Sequence, residues 1–518
     1  MKRAVFLVLF ALLAAYAWQG NRPPMHSARL DVVIELQMPA RVYLFRNNAP
    51  FRLWPVDSVL PIQSDTFYRD RLWKDNADPR VMEIISEGQY HYILLKGAAT
   101  LHLPPGRYRM EAYRGTFYVP ASIEFELRAE ETRRLSVPLK PWDGVRPEEW
   151  ISADPHIHLT RTRAEDPAYL GWLEAEDLSI GHFLQLQRQV DAAEQYAFGA
   201  AGEARRGGYL ILPGQETRNQ VFGHLLFLGV NELVRPLSIG AELANSPGNY
   251  PFHTLLLDRG RKAGGSVGYA HFRPDNVHNT MLMDLALGKL DFVELFQFGV
   301  MTLQGWYELL NAGLNVPGIS GSDFPVPVAR YRPWPRWLPL LGPERTLVRA
   351  RSGRNLKEVW TEGVRAGEVV LTNGPMVELT VDRATGAARA TASFFRPLES
   401  LEIVQNGHVV GIAEGDEKQT RLSVGVRVET EQSSWLAARV RAKKLPEEPE
   451  IRAHTGPTYL LKDGRPVRVA AAREAVAARW ERELARYRGL GLVFGTEAQR
   501  KEFFDAGERA LAMLRRRD

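Results

Sequence analysis

Seven of the twelve histidines in this 518-residue chain fall between His156 and His278. The densest element is Asp154-Pro155-His156-Ile157-His158. In an extended strand, residues two apart project from one face, so both imidazoles could reach a single cation. Asp154 shares their parity and could orient one of the rings. A pair of satisfied core histidines would show the same spacing, so this element alone does not establish a site. Other metal-competent side chains stand where apolar runs meet loops. These are Glu216 in Pro213-Gly214-Gln215-Glu216, His224 in Gly223-His224, His271 closing Gly268-Tyr269-Ala270-His271, and Asp323 closing Gly321-Ser322-Asp323. The chemistry such a set could perform is hydrolysis by metal-activated water, because a divalent cation lowers the pKa of bound water from roughly 15.7 to 7. A second cation about 3.5–4 Å away would clamp the attacked or leaving oxygen. Imidazole and carboxylate ligands suit one or two divalent ions of zinc, manganese or iron, and the donor set does not choose among them.

Elements that would gather these residues follow from the apolar pattern. From about Trp150, short apolar runs alternate with helical ones, which predicts strand–helix units and a largely parallel sheet. The strand candidates are Ile151–His158, Leu178–Leu184, Tyr209–Gly214, Leu225–Val230, Ser266–His271, Phe292–Phe296 and Val316–Ser320. Helices are expected between them, for example at Gln187–Arg206 and Thr254–Ala263. In parallel folds the carboxyl ends of strands gather at one face, where active sites are built. Around this centre, residues 29–145 alternate as a small antiparallel β-sandwich would, with Ile123, Phe125 and Leu127 and then Leu135, Val137 and Leu139 as examples. A second β-domain is expected over 376–445, and a helical tail over 446–518. There Val476, Trp480, Leu484 and Tyr487 form one apolar stripe, and Thr496-Glu497-Ala498-Gln499 resembles a capping box.

Composition narrows the class. The chain is 45% apolar and 25% charged with net charge +5, and its pI of about 9.2 is mild for the length. Basic and acidic residues are interspersed, so no nucleic-acid footprint is expected. Cysteine is absent, which excludes disulfides, thiolate nucleophiles and Cys-ligated zinc. Lys2-Arg3, the apolar run Ala4–Ala15 and Ala15-Tyr16-Ala17 read as a cleavable signal peptide over residues 1–17, or an uncleaved anchor. A periplasmic or secreted protein without a stable membrane span is expected.

In family order, the HxH strand, the PGxE turn, the GH strand, the AHF strand end and the GSD strand end resemble the polymerase and histidinol phosphatase (PHP) superfamily, and within it the carbaryl-hydrolase-like (CehA/McbA) branch. The match covers about Trp150 to Pro375. The resemblance implies a distorted (β/α)7 barrel over 149–375, flanked by the two β-domains. It implies one metal held by His156, His158, Glu216 and Asp323, with Glu216 bridging to a second completed by His224 and His271. The family's usual Asp-His pair on the second strand is replaced by Gly181-His182, and its late histidine by Pro325. A third metal is therefore not expected, although His182 could partly substitute as a supporting residue. Pro155 stands where the family has an aliphatic residue, and a proline there predicts a bulge or a late strand start.

Arg218, Arg273 and His278 follow ligand positions closely enough to contact a substrate oxyanion, or they simply meet solvent. His253 reads as a helix start, and the Trp334–Trp337 segment as a loop packed on the barrel, or a lid. The expected activity is hydrolysis of small-molecule phosphate, carboxyl or carbamate esters. The rival class is a non-catalytic cell-envelope or carbohydrate-binding protein on the same scaffold.

Overall fold

The computed structural model describes residues 28–51, 58–63, 81–86, 89–187, 192–240, 248–272, 279–325 and 335–516. These form two compact units, one within 28–63, 81–114 and 120–140, the other within 115–119 and 141–516.

The first unit is all β. Ala28–Ile34 buries every second residue (Ala28, Leu30, Val32, Ile34) and lies between Ala98–Leu103, antiparallel, and Thr132–Val137, parallel. The other sheet runs Ser58–Gln63, Val81–Ser86, Gln89–Leu94, Ala40–Arg46, Gly106–Tyr113, Ala121–Leu127, and Ala49–Pro50 folds back on Ala40–Arg46. Phe125, Leu127, Leu135 and Val137 are buried with exposed residues between them, the period-2 signature of a half-buried strand. The unit is not purely antiparallel, since Ser58–Gln63 and Val81–Ser86 also pair in parallel.

The second unit is built on strands β1 (Trp150–Ile157), β2 (Ile180–Gln187), β3 (Tyr209–Asn219), β4 (Gly223–Leu228), β5 (Ser266–Tyr269), β6 (Phe292–Gln297) and β7 (Gly318–Ser320). They pair in that order, parallel at β1–β2, β2–β3, β5–β6 and β6–β7. A parallel bridge from Ile157 to Phe324 just beyond β7 leads back to β1, with the His158 amide donating to the Phe324 carbonyl at 2.7 Å. Strand β4 departs from the expected alternation, because it runs antiparallel to both β3 and β5. Its cause is length: only residues 220–222 separate β3 from β4, and a parallel return needs a crossover of a dozen residues or more. Asn219 closes that turn, its Oδ1 accepting from the Val221 and Phe222 amides at 2.7 and 2.9 Å.

Helices α1 (Asp166–Ala175), α2 (His253–Lys262), α3 (Met281–Ala286) and α4 (Leu303–Asn311) follow β1, β4, β5 and β6. The helix expected at Gln187–Arg206 is not formed. Its described part holds the short strands Ala192–Ala193 and Ala204–Arg206 and a 3-10 turn at Gly199–Ala201. Gly199 sits at φ +59°, and a Cβ on Gly202 would lie 2.1 Å from the Ala197 carbonyl oxygen. These glycines break the alanine-rich run into turns. On its other edge β1 pairs with β8 (Arg345–Arg349), which leads through α5 (Leu356–Ala366) to β9 (Val369–Thr372). From β9 the sheet continues through Ile451–Thr455 into Ser434–Ala442, Leu398–Gln405 and His408–Glu414. A separate sheet of Met376–Val381, Ala387–Ser393 and Arg421–Arg427 shares a core with these strands.

Two helices end the chain, α6 (Ala470–Gly489) and α7 (Glu497–Arg515). Val476, Trp480, Leu484 and Tyr487 are all buried in the same core as β4 to β7. Thr496 caps α7 by accepting from the Gln499 amide at 3.2 Å, while the Gln499 side chain accepts from Gly495 at 2.9 Å. Among the described residues no helix is long and apolar enough to cross a membrane.

Candidate metal centre

Six side chains, carried on or just beyond β1, β3, β4, β5 and β7, meet at one place. Ligand-capable atoms of His156, His158, Glu216 and Asp323 lie within 4.8 Å of one another, and so do those of Glu216, His224 and His271. Glu216 belongs to both groups. Its Oε2 is 3.0 Å from His158 Nε2 and 3.8 Å from His156 Nε2. Its Oε1 is 3.1 Å from His224 Nδ1 and 3.7 Å from His271 Nε2. Asp323 Oδ1 lies 3.4 and 3.2 Å from the Nε2 atoms of His156 and His158.

Local structure explains the convergence. The β1–β2 register shifts between Asp154 and Ile157, the bulge that Pro155 predicts because it donates no ladder hydrogen bond. Asp154 Oδ1 accepts from the amides of His156 and Ser322, both at 3.1 Å, and its Oδ2 accepts from Ser322 Oγ at 2.6 Å. Asp154 thus ties the end of β1 to the Gly321–Asp323 turn, through backbone and hydroxyl donors where a ring nitrogen was expected. His271 and Asp323 both sit in left-handed backbone, at φ +53° and +54°, a conformation that non-glycine residues hold only where their surroundings enforce it. Gly321 allows the close approach of β1 and β6. A Cβ there would stand 2.5 Å from Glu294 Oε1 and 2.7 Å from the His156 Cβ.

Glu294, in the centre of β6, is the residue that sequence reasoning missed. Its Oε1 accepts from His156 Nδ1 at 2.8 Å and its Oε2 from the His271 amide at 2.9 Å. Gln297 Oε1 lies 2.6 Å from His271 Nδ1, and the Leu184 carbonyl 3.4 Å from His158 Nδ1. With these acceptors on Nδ1, the Nε2 lone pairs of all three rings are left to face the cluster. The available signal was a lone carboxylate in the otherwise apolar run Phe292-Val293-Glu294-Leu295-Phe296.

The electrostatics fit a cation. His156 Nε2 and His158 Nε2 face each other at 3.0 Å, and both Glu216 oxygens and His224 Nδ1 are buried without a well-directed hydrogen bond. Close approach of the Glu216 oxygens to imidazole nitrogens without hydrogen-bond geometry is what shared ligands of one ion show. Four ligand atoms at about 2.1 Å around a tetrahedral ion stand about 3.4 Å apart, inside the 3.0–3.8 Å spread measured here. Burial alone would lower the imidazole pKa of His156, but the carboxylates of Glu294, Asp323 and Glu216 overcome it and hold the group well above its ordinary value. His158 and His271 are raised in the same way. Burial would raise Glu216, yet the Arg218 charge and the surrounding imidazoles hold it well below the usual carboxylate range. His224 is pushed down to about 4, first by burial. Burial raises Asp154 to about 6 against the Ser322 and His156 bonds.

His182 does not join either group. Its ring packs on Trp360 of α5 at 4.9 Å between centroids, and burial drives its pKa to about 3. His253 is a buried residue of α2 bonded through Nδ1 to Tyr269 Oη at 3.2 Å. Arg273 and His278 lie outside the described residues, as does Trp334. Arg218, on β3, is described and partly exposed.

No family model and no curated protein matches the chain. Among solved structures, PsfC from Pseudomonas syringae overlaps 41% of this chain and 88% of its own, at 16% identity and a TM-score of 0.27. The lesion-specific endonuclease PfuEndoQ from Pyrococcus furiosus overlaps 42% and 56%, at 16% identity and 0.26. An Endonuclease Q complex with a 27-mer duplex bearing an abasic lesion overlaps 42% and 57%, at 15% identity and 0.26. The chain therefore spans little more than half the length of the two endonucleases, and overlaps of this quality do not assign it a fold. The buried His, Glu and Asp group is compatible with metal binding.

Proposed function

We propose that this chain is a metal-dependent hydrolase of the PHP type that cleaves ester bonds in small molecules. The observation that carries the reading is the Glu216 carboxylate, which turns one oxygen to His156 and His158 and the other to His224 and His271. A carboxylate shared in this way suits two divalent cations, which would supply an ionised water near neutral pH. His156, His158, Glu216 and Asp323 would hold one ion; Glu216, His224 and His271 would hold the other. Glu294 and Gln297 fix the rings of His156 and His271 so that Nε2 points inward, and Asp154 with Ser322 holds the Asp323 turn against β1. The side chains of His224 and His271 are 19% and 22% exposed while the other imidazoles are buried, so substrate would enter from their side.

Phosphate and carboxyl or carbamate esters are both within this reading; the motif order favours the carbaryl-hydrolase-like branch. The basic, apolar start of the chain extends the proposal to an exported enzyme, which fractionation of expressing cells tests. The activity test is metal content of the purified protein, then turnover of para-nitrophenyl phosphate, bis-para-nitrophenyl phosphate and para-nitrophenyl acetate with zinc, manganese and iron. Turnover that requires metal and disappears in His156→Ala supports the proposal. Metal-replete protein inert on every ester overturns it.

A further inference from the structure

Arg218 stands beside the bridging carboxylate with no acid of its own. It is two residues from Glu216 on β3 and directly opposite His224 on β4, so all three side chains project from one face of the sheet. Its Nε is buried without a hydrogen-bond partner, and among the described residues no carboxylate forms an ion pair with it. A guanidinium is always charged and presents a rigid fork suited to oxyanions. Its placement beside a cation site is otherwise unfavourable. Two divalent ions already exceed the charge of Glu216, Asp323 and Glu294, and Arg218 adds a further positive charge. Four imidazoles, those of His156, His158, His224 and His271, already surround Glu216.

We infer that Arg218 is the specificity-determining anchor of the site, taking an anionic oxygen of the substrate on the side of His224. This rests on the hydrolase reading for the position of the ions, and it deepens that reading. The preferred ester is one that brings negative charge beyond the oxygen under attack, and neutral esters leave the guanidinium unpaired. Binding and turnover separate the two claims.

Inorganic phosphate is the probe, titrated calorimetrically into metal-loaded wild type, Arg218→Met and Arg218→Lys, with metal content and melting temperature recorded for each. Loss of a charge-assisted pair should weaken phosphate binding by roughly 10- to 100-fold in Arg218→Met, and Arg218→Lys should restore part of it. In turnover, Arg218→Met should raise KM for an anionic ester several-fold more than it changes that for para-nitrophenyl acetate. Equal phosphate affinity in wild type and Arg218→Met overturns the inference while leaving the hydrolase reading intact. So does a loss that lysine does not restore at all. Arginine-dependent phosphate binding in a protein that turns over no ester would uphold the anchor and sink the hydrolase.

Discussion

Replacing Glu294 by glutamine separates the ligands from what holds them. The carboxylate accepts two N–H groups, the buried His156 Nδ1 on Oε1 at 2.8 Å and the partly buried His271 amide on Oε2 at 2.9 Å. Glutamine keeps the volume but offers a single acceptor oxygen, so its amide nitrogen must face one of those two donors. One charge-assisted bond is then lost, worth about 1.5–3 kcal/mol, and a donor is left unsatisfied. Because one bond orients the His156 ring and the other fixes the backbone of His271, the loss should appear as metal affinity. Supporting partners of this kind typically contribute 10- to 100-fold, or about 1.4–2.8 kcal/mol at 1.4 per decade, so the two routes agree. Competition with a chromogenic chelator for zinc, in wild type and Glu294→Gln, measures it directly. Affinity unchanged within about twofold, in a variant that melts like wild type, would refute the argument that β6 presets the rings.

Four further outcomes follow from the same geometry. Gly321→Ala should lose metal as well as stability, by about 1–3 kcal/mol from overpacking, because its Cβ would meet Glu294 and His156; full metal content in that variant counts against the close packing of β1 on β6. Asp323→Ala should empty the first group and leave a weaker site at Glu216, His224 and His271, read as a drop in bound metal per chain. In chelator-treated protein, His156, His158 and His271 are held above their ordinary pKa, and Glu216 and Asp323 below theirs. The imidazoles stabilise fully below about pH 6.5 and lose this as pH rises through their folded values, while the carboxylates stabilise fully above about pH 4.5 and lose this as pH falls. The site's contribution without metal should therefore peak between those limits, and added metal should raise the melting temperature most above them; an equal rise across that range contradicts it. Trp480→Ala, which removes a fully buried ring whose Nε1 donates to the Gly507 carbonyl at 2.9 Å, should cost about 3–5 kcal/mol in denaturant unfolding.

The convergence of the candidate residues was legible because strands have period 2 and parallel strands end at a common face. His156 and His158 share a face for the first reason and Asp323 approaches them for the second, while Glu216 stands three residues before the end of β3. The bulge at Pro155 was legible for the same kind of reason, a missing donor. Glu294 was hidden because a carboxylate inside Phe292–Gln297 looks like a flaw in an apolar strand until its two donors, from residues 138 and 23 positions away, are in place. The antiparallel course of β4 was hidden because Thr217, Arg218 and Asn219 are polar, so the strand was read as ending at Gly214. It in fact continues five residues further and leaves no room for a crossover. At Gln187–Arg206 alanine-rich propensity pointed to a helix, and the glycine turns at 199 and 202 overrode it.

The most direct test is anomalous scattering from crystals grown with zinc or manganese. The account predicts two peaks sharing Glu216, one also bound by His156, His158 and Asp323, the other by His224 and His271, each at about 2.0–2.3 Å from its ligands. Crystals of intact, metal-replete protein with density for those side chains and no peak among them would contradict it.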